Sequence, residues 1–176
     1  MDRLSELEQR TIYIIREAYA LHRRLAILWS IGKDSTSLLW MARKAFFGRI
    51  PFPVLHIDTN FKFPEIYAFR DRYAREWGLD LRVVRNDAAL AAGISPATGK
   101  LACCSLLKTE ALRQALARER LDALLLGIRR DQHGIRAKER YFSPRDERFR
   151  WDYRRQPTEM WDHFAGQCDE GTHLRV

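Results

Sequence analysis

Six consecutive residues carry the densest chemical signal in the chain: Ser30, Ile31, Gly32, Lys33, Asp34 and Ser35. A glycine lets the backbone come close to a ligand, a lysine supplies a mobile positive charge, and two serines supply hydroxyl donors. The apolar run Leu25 to Trp29 precedes them and reads as a buried strand. Thr36 onward, through Leu38, Leu39 and Met41, reads as a helix. Strand, turn and helix in that order place backbone N–H groups and the positive end of a helix dipole at one point. Such a point binds anions, and a polyphosphate is the usual occupant. Ser35 or Asp34 can cap the helix. The bland alternative is a plain glycine turn in an α/β domain. The pattern is neither G-x-x-x-x-G-K-[ST] nor G-x-G-x-x-G.

Further chemistry-bearing residues fall where other apolar runs end. Pro53 to Ile57 reads as a second strand and runs into Asp58 and Thr59. Leu121 to Leu126 reads as a fourth strand and runs into Gly127, Ile128, Arg129, Arg130 and Asp131. In open α/β sheets ligands sit beyond the carboxyl ends of the strands, so parallel pairing puts these residues on one edge with the Ser30 turn. Beyond His133, arginines alternate with aromatic residues: Arg136, Arg140, Tyr141, Phe142, Arg145, Arg148, Phe149, Arg150 and Trp151. That stretch is either an anion site or a solvated basic surface.

The elements that must hold these groups follow from periodicity. Residues 3 to 23 predict an amphipathic packing helix. A helix from Ser35 to about Phe47 stops at Gly48, with Pro51 and Pro53 beyond it. Phe61 to Trp77 predicts a helix with Pro64 in its first turn, Leu79 to Val84 a third strand, and Ser105 to Arg120 a helix. Residues 86 to 104 predict irregular structure. The fold class is therefore α/β: a doubly wound parallel sheet with helices on both faces and right-handed crossovers. One domain over residues 1–176 is expected, with residues 133–176 an irregular basic tail containing a helical turn near Arg136 to Glu139.

The 176 residues carry 31 Lys and Arg against 23 Asp and Glu, a net charge of +8, which favours anionic partners. No run is long enough to cross a bilayer, and the charged, amphipathic N-terminus has no apolar signal-peptide core, so the cytoplasm is expected. Three cysteines, Cys103, Cys104 and Cys168, do not make a disulfide framework. They cannot supply four thiolates for an iron–sulfur cluster within one chain, so none is expected. Buried inert thiols are the leading reading, with a redox-active pair the alternative.

The blocks SIGKDS, FPVLHIDTNFKFPEIYAFRD, LLKTEAL, GIRRD, RAKERYFSPRD and FRWD occur in that order. From about residue 8 to residue 176 the chain resembles the small, ATP-binding subunit family of bacterial sulfate adenylyltransferases (ATP sulfurylase subunit 2). That family lies within the PAPS-reductase-like N-type ATP pyrophosphatases, of the adenine nucleotide alpha hydrolase-like fold. The resemblance implies that sulfate attacks the α-phosphorus of ATP, giving adenosine 5′-phosphosulfate and pyrophosphate. It assigns Ser30, Gly32, Lys33, Asp34 and Ser35 to the pyrophosphate loop. It assigns the Ile57 backbone and Asp58 to the adenosine side, and Gly127 to close approach of the nucleotide. Lys33, Arg129, Arg130, Arg136, Lys138 and Arg140 become the cations that bind sulfate or balance charge in the transition state. His133 as a base is a weaker assignment than a surface histidine. Mg²⁺ on the phosphates is expected from the general chemistry, without a dedicated protein ligand. The implied partners are ATP, sulfate and a GTPase large subunit, with no membrane and no nucleic acid. The family's polypeptide continues well past Val176, so the chain is expected to be short relative to it. A PAPS- or APS-reductase-like enzyme, an ATP-binding fragment without turnover, and an RNA sulfur-transfer enzyme are the competing readings.

Overall fold

The computed structural model describes residues 2–132, 134, 136–146, 149–165 and the backbone of 173–175. Helix α1 (Arg3–Leu21) is capped by Asp2, whose carboxylate accepts from the Ser5 N–H at 2.7 Å. Strand β1 (Leu25–Leu28) leads through the Ser30 turn into α2 (Lys33–Ala45). Strand β2 (Val54–Ile57), α3 (Pro64–Glu76) and β3 (Leu81–Val84) follow. Next come a short α4 (Asp87–Ala91), a 3₁₀ turn at Pro96–Thr98 and one long helical run. That run comprises α5 (Lys100–Cys104), a π-helical segment (Ser105–Glu110) and α6 (Ala111–Arg118). Strand β4 (Ala123–Leu125), 3₁₀ turns at Arg130–Gln132 and Arg136–Lys138, β5 (Ser143–Arg145), a 3₁₀ turn at Tyr153–Arg155 and β6 (His173–Arg175) complete the chain.

The sheet order is β3-β2-β1-β4-β6-β5. β1 pairs in parallel with β2 and β4, β2 with β3, and β4 with β6. β1 and β4 are neighbours although two strands separate them in sequence, so the crevice at their carboxyl ends is the switch point where doubly wound sheets bind ligands. β1, β2 and β4 are buried on both faces because helices cover both, whereas the edge strand β3 carries Arg82 and an exposed Val83. Leu25, Ile27, Trp29, Val54, Ala123 and Leu125 pack with Ile14, Ile15 and Ala18 of α1 and with Leu39, Ala42 and Ala45 of α2. Ala26, Leu55 and Leu124 pack on the other face with Leu116 of α6. Val84 packs there with Ala111 and Ala115.

The α/β architecture with helices on both faces is as the sequence predicts. Two regions differ. Residues 86 to 104, expected to be irregular, are largely helical, because α5 continues directly into the π-helical segment and α6. The tail, expected to be loop with one helical turn, adds two strands, and β5 runs antiparallel to β6. Ser143-Pro144-Arg145 has no apolar alternation; it is a strand because pairing with residues about 30 positions away satisfies its backbone. The helical turn itself is present at Arg136–Lys138.

Candidate anion site at the carboxyl edge of the sheet

The loop after β1 runs directly into the first turn of α2. Ile31 sits in the left-handed region at φ 68°, a strained conformation for a β-branched residue, with a cost of about 1–3 kcal/mol. Gly32 takes the N-cap position of α2 and no side chain caps the helix. This differs from the expected Ser35 or Asp34 cap. The Ser35 hydroxyl donates to the Gly32 carbonyl at 3.0 Å, so in its 2.9 Å contact with Ser30 it must accept the Ser30 proton. The first turn of α2 therefore keeps its N–H groups free of side-chain caps, and the dipole's positive end faces the crevice. A Cβ on Gly32 would meet Ser30 Oγ at 3.5 Å, an ordinary contact, and φ is −77°. Nothing inside the protein requires a glycine there. Lys33 is 80% exposed, and its Nζ lies 3.9 Å from an Asp34 oxygen.

The end of β4 closes on this turn. A Cβ on Gly127 would come within 2.9 Å of the Asp34 carbonyl and of Ser35 Cα. The expected reason for this glycine was approach of a nucleotide; the structural reason is approach of the α2 backbone. Gln132 then donates to Asp34 Oδ2 at 3.0 Å, tying the segment after β4 to the loop a second time.

Between α1, α2 and the segment after β4 lies a cleft of about 370 Å³. Asp34, Gly127, Arg129, Arg130, Arg136 and Arg140 line it, with an apolar floor that includes Ile14, Leu38 and Met41. Four of the six expected catalytic cations thus share one cavity, and Lys33 and Lys138 are not among its lining residues. Most of these arginines are already engaged. Arg129 pairs with Asp131 at 2.9 Å, which holds the Asp131 carboxyl below its ordinary pKa. Arg130 and Arg140 both reach Glu159, at 3.2 and 3.3 Å, and Arg130 also lies 4.6 Å over the Tyr141 ring. Arg136 donates to Gln132 at 2.9 Å. Lys138 is exposed, and its carbonyl accepts from Gln156 at 3.4 Å.

A separate polar cluster occupies the end of β2. His56 is fully buried, with Nδ1 2.8 Å from the Trp29 carbonyl and Nε2 2.8 Å from Lys62 Nζ. Lys62 also donates to the Ile57 carbonyl at 2.6 Å. Of the Ile57 backbone, expected on the adenosine side, the carbonyl is thus engaged by Lys62. Asp58 Oδ1 accepts from the Asn60 N–H and from the Tyr67 hydroxyl, each at 2.9 Å. Burial pushes the Asp58 carboxyl up, but those hydrogen bonds and the nearby Lys62 charge outweigh it and leave the pKa below its ordinary value. Burial drives His56 down to about 4 and Lys62 down to about 8.

The family model described as the phosphoadenosine phosphosulfate reductase domain matches residues 24–165. The chain belongs to this family. The PAPS-reductase-domain chain is 46% identical over 175 residues to sulfate adenylyltransferase subunit 2 of Proteus mirabilis, covering 98% of this chain and 58% of that protein. It is 47% identical over 177 residues to sulfate adenylyltransferase subunit 2 of Rhodospirillum rubrum, covering 100% of this chain and 60% of that protein. It thus spans somewhat under two thirds of the relatives' length. Among solved structures, phosphoadenylyl-sulfate reductase from Candida auris, a phosphate complex, superposes with a TM-score of 0.58 at 21% identity. That match covers 67% of this chain and 60% of the other, and shows a shared fold.

Within this family member the cysteines depart from the sequence reading. Cys103 and Cys104 lie on α5 as free thiols and are partly exposed rather than buried. Among the described residues no group of three or more His, Cys, Asp or Glu is placed to hold a metal ion. His133, Arg148 and Cys168 lie outside the described residues. No described helix is long and apolar enough to cross a membrane. The sequence reading missed His56 and Lys62, although a lysine between two phenylalanines after a strand was the available signal.

Proposed function

We propose that this chain is the nucleotide-binding part of an enzyme that adenylylates sulfate with ATP, giving adenosine 5′-phosphosulfate and pyrophosphate. The observation that carries the reading is the uncapped start of α2, with Gly32 at the cap and a strained Ile31 before it, at the switch point of the sheet. The β and γ phosphates would sit on the N–H groups of that turn, with Ser30 and Lys33 alongside. Ser35 braces the turn through its bonds to Gly32 and Ser30. The adenosine would extend toward Asp58, and sulfate would approach from the cleft that holds Arg129, Arg130, Arg136 and Arg140. In-line displacement at the α-phosphorus needs positioning and charge balance, not a covalent protein nucleophile.

Mg²⁺ fits as an ion carried by the phosphates. Asp34 is the carboxylate of the loop and is held by Gln132, so most of the coordination would come from phosphate oxygens and water. The relatives are named as subunit 2, which supports a larger partner subunit for this chain, and we take that partner to be a GTPase. A reaction that consumes ATP suits the cytoplasm. The deciding experiment measures pyrophosphate release with ATP and Mg²⁺, with and without sulfate, for the chain alone and with a large subunit. Release that requires sulfate and is lost in Gly32→Val supports the reading. ATP binding with no sulfate-dependent release under either condition refutes the adenylyl-transfer step and leaves a nucleotide-binding unit.

A further inference from the structure

We propose that Lys62 is an oxyanion-binding residue at the carboxyl end of β2, beside the arginine-lined cleft, its ammonium receiving an oxygen of a tetrahedral phosphoryl or sulfuryl group there. The proposal deepens the reading above and rests on it for the source of the anion.

The segment Phe61-Lys62-Phe63 is inside out. Phe61 and Phe63 are 49% and 74% exposed, while the lysine between them is half-buried, its ammonium bonded to His56 and to the Ile57 carbonyl. Hydrophobic burial alone would orient the three residues the other way. Asn60, in the left-handed region at φ 66°, sets the turn that makes this possible. An inward lysine without a carboxylate is unfavourable unless its charge has a task.

His56 holds the ammonium in place. The Trp29 carbonyl can only accept a hydrogen bond, so the proton of the His56 ring is on Nδ1. Nε2 is then a bare acceptor and takes one Lys62 proton. The Ile57 carbonyl takes a second. Among the described residues the third N–H has no acceptor, and no carboxylate lies within ion-pair distance of Nζ. The charges facing Lys62 leave it short of negative neighbours. Asp58 attracts it, but Arg70 and Lys108 oppose, the latter from the π-helical segment. Tyr67 is engaged with Asp58, and Arg70 with Asp71 at 2.7 Å. Burial and these like charges depress the amine to about 8, as for a cation that awaits a counterion.

The position suits the anion. His56 joins Lys62 to Trp29, the residue immediately before the Ser30 loop. Helices α2 and α3 both begin on this edge without side-chain caps, so their dipoles add positive potential on the same side. A phosphate of the nucleotide and free sulfate share the chemistry this donor recognises.

The test labels lysines of the wild-type chain with trinitrobenzenesulfonate at pH 8 and quantifies Lys62 by peptide mass. Parallel arms contain ATP, inorganic pyrophosphate or sodium sulfate, and calorimetry records ATP binding. Protection of Lys62 by about fivefold or more in any arm supports the proposal, and the arm that protects names the source. No protection in any arm overturns it. If ATP binds and Lys62 stays reactive in all arms, this proposal fails and the nucleotide reading stands. If pyrophosphate or sulfate protects but no sulfate-dependent turnover occurs, the assigned reaction fails and the anion site stands. As a second measurement, Lys62→Met should weaken binding of the protecting anion about 10- to 100-fold, and Lys62→Arg should restore part of it. Wild-type affinity should fall as pH rises from 7 to 9, a window above the phosphate pKa of about 6. The Met variant should be flat there. Unchanged affinity in a folded Lys62→Met also overturns the proposal.

Discussion

Gly127 lies so close to Asp34 that a Cβ on it would stand 2.9 Å from the Asp34 carbonyl oxygen. The contact joins the end of β4 to the first turn of α2, backbone to backbone, where no flexible side chain can give way. Gly127→Ala should therefore force the two elements apart. A loss of about 1–3 kcal/mol of stability is expected, measured by urea unfolding. The displaced helix start should also weaken ATP binding. Unchanged stability would mean the two elements part without strain.

Gly32 gives the opposite separation. Its backbone is extended and a Cβ would have room, but valine is a poorer N-cap than glycine, so Gly32→Val should cost about 1 kcal/mol of stability and still fold. A phosphate seated on the turn would meet the new side chain instead. ATP affinity should drop at least about tenfold, measured by calorimetry on protein whose cooperative melting shows it to be folded. Retained affinity would place the phosphates elsewhere.

These two glycines show what was legible in the sequence and what was not. Gly32 follows an apolar strand and precedes a helical period, a local pattern, and its place in the fold was readable. Gly127 was readable as a site residue, but its physical reason depends on a helix more than 90 positions earlier. The apolar runs at Leu25, Val54 and Ala123 declare their strands because helices bury both sheet faces there, and the edge strand at Leu81 is marked by its paired valines. β5 and β6 do not, because β5, at the edge of the sheet, owes its form to pairing with the distant β6, and β6 to pairing with β4 and β5. The arginines after Gly127 were visible as a cluster. Their engagement by Glu159, 19 to 29 positions away, was not. Nor was the left-handed Ile31, where propensity argues against the conformation that the loop imposes.

His56 should make the fold sensitive to acid. Burial lowers its pKa from 6.5 to about 4, with Lys62 and Arg70 contributing and the Trp29 carbonyl and Asp58 opposing. The unfolded chain takes up a proton as pH falls below about 6.5 and the native ring resists it, so protons favour unfolding in this window. The stabilising contribution is complete above about 6.5 and is lost as pH falls toward 4. Its size is on the order of 2–3 kcal/mol. Urea unfolding at pH 7, 5.5 and 4.5 should show this decline, and His56→Asn should reduce its slope. The proton NMR signals of the His56 ring should titrate near 4; a midpoint near 6.5 would show an accessible imidazole.

Glu159 controls how much positive charge the cleft offers. Its side chain is 7% exposed, and it accepts from the Tyr141 N–H at 2.5 Å as well as from Arg130 and Arg140. Glu159→Gln keeps the shape and removes the charge. The two arginines are nearly half exposed, so water screens most of the loss and the expected cost is about 1 kcal/mol, read from the melting temperature. The same change frees two guanidinium groups that line the cleft. Sulfate should then bind a few-fold more tightly in the variant, because a carboxylate no longer competes for the same donors. Weaker sulfate binding would mean that Glu159 aims the arginines at the anion, and that their geometry matters more than their free charge.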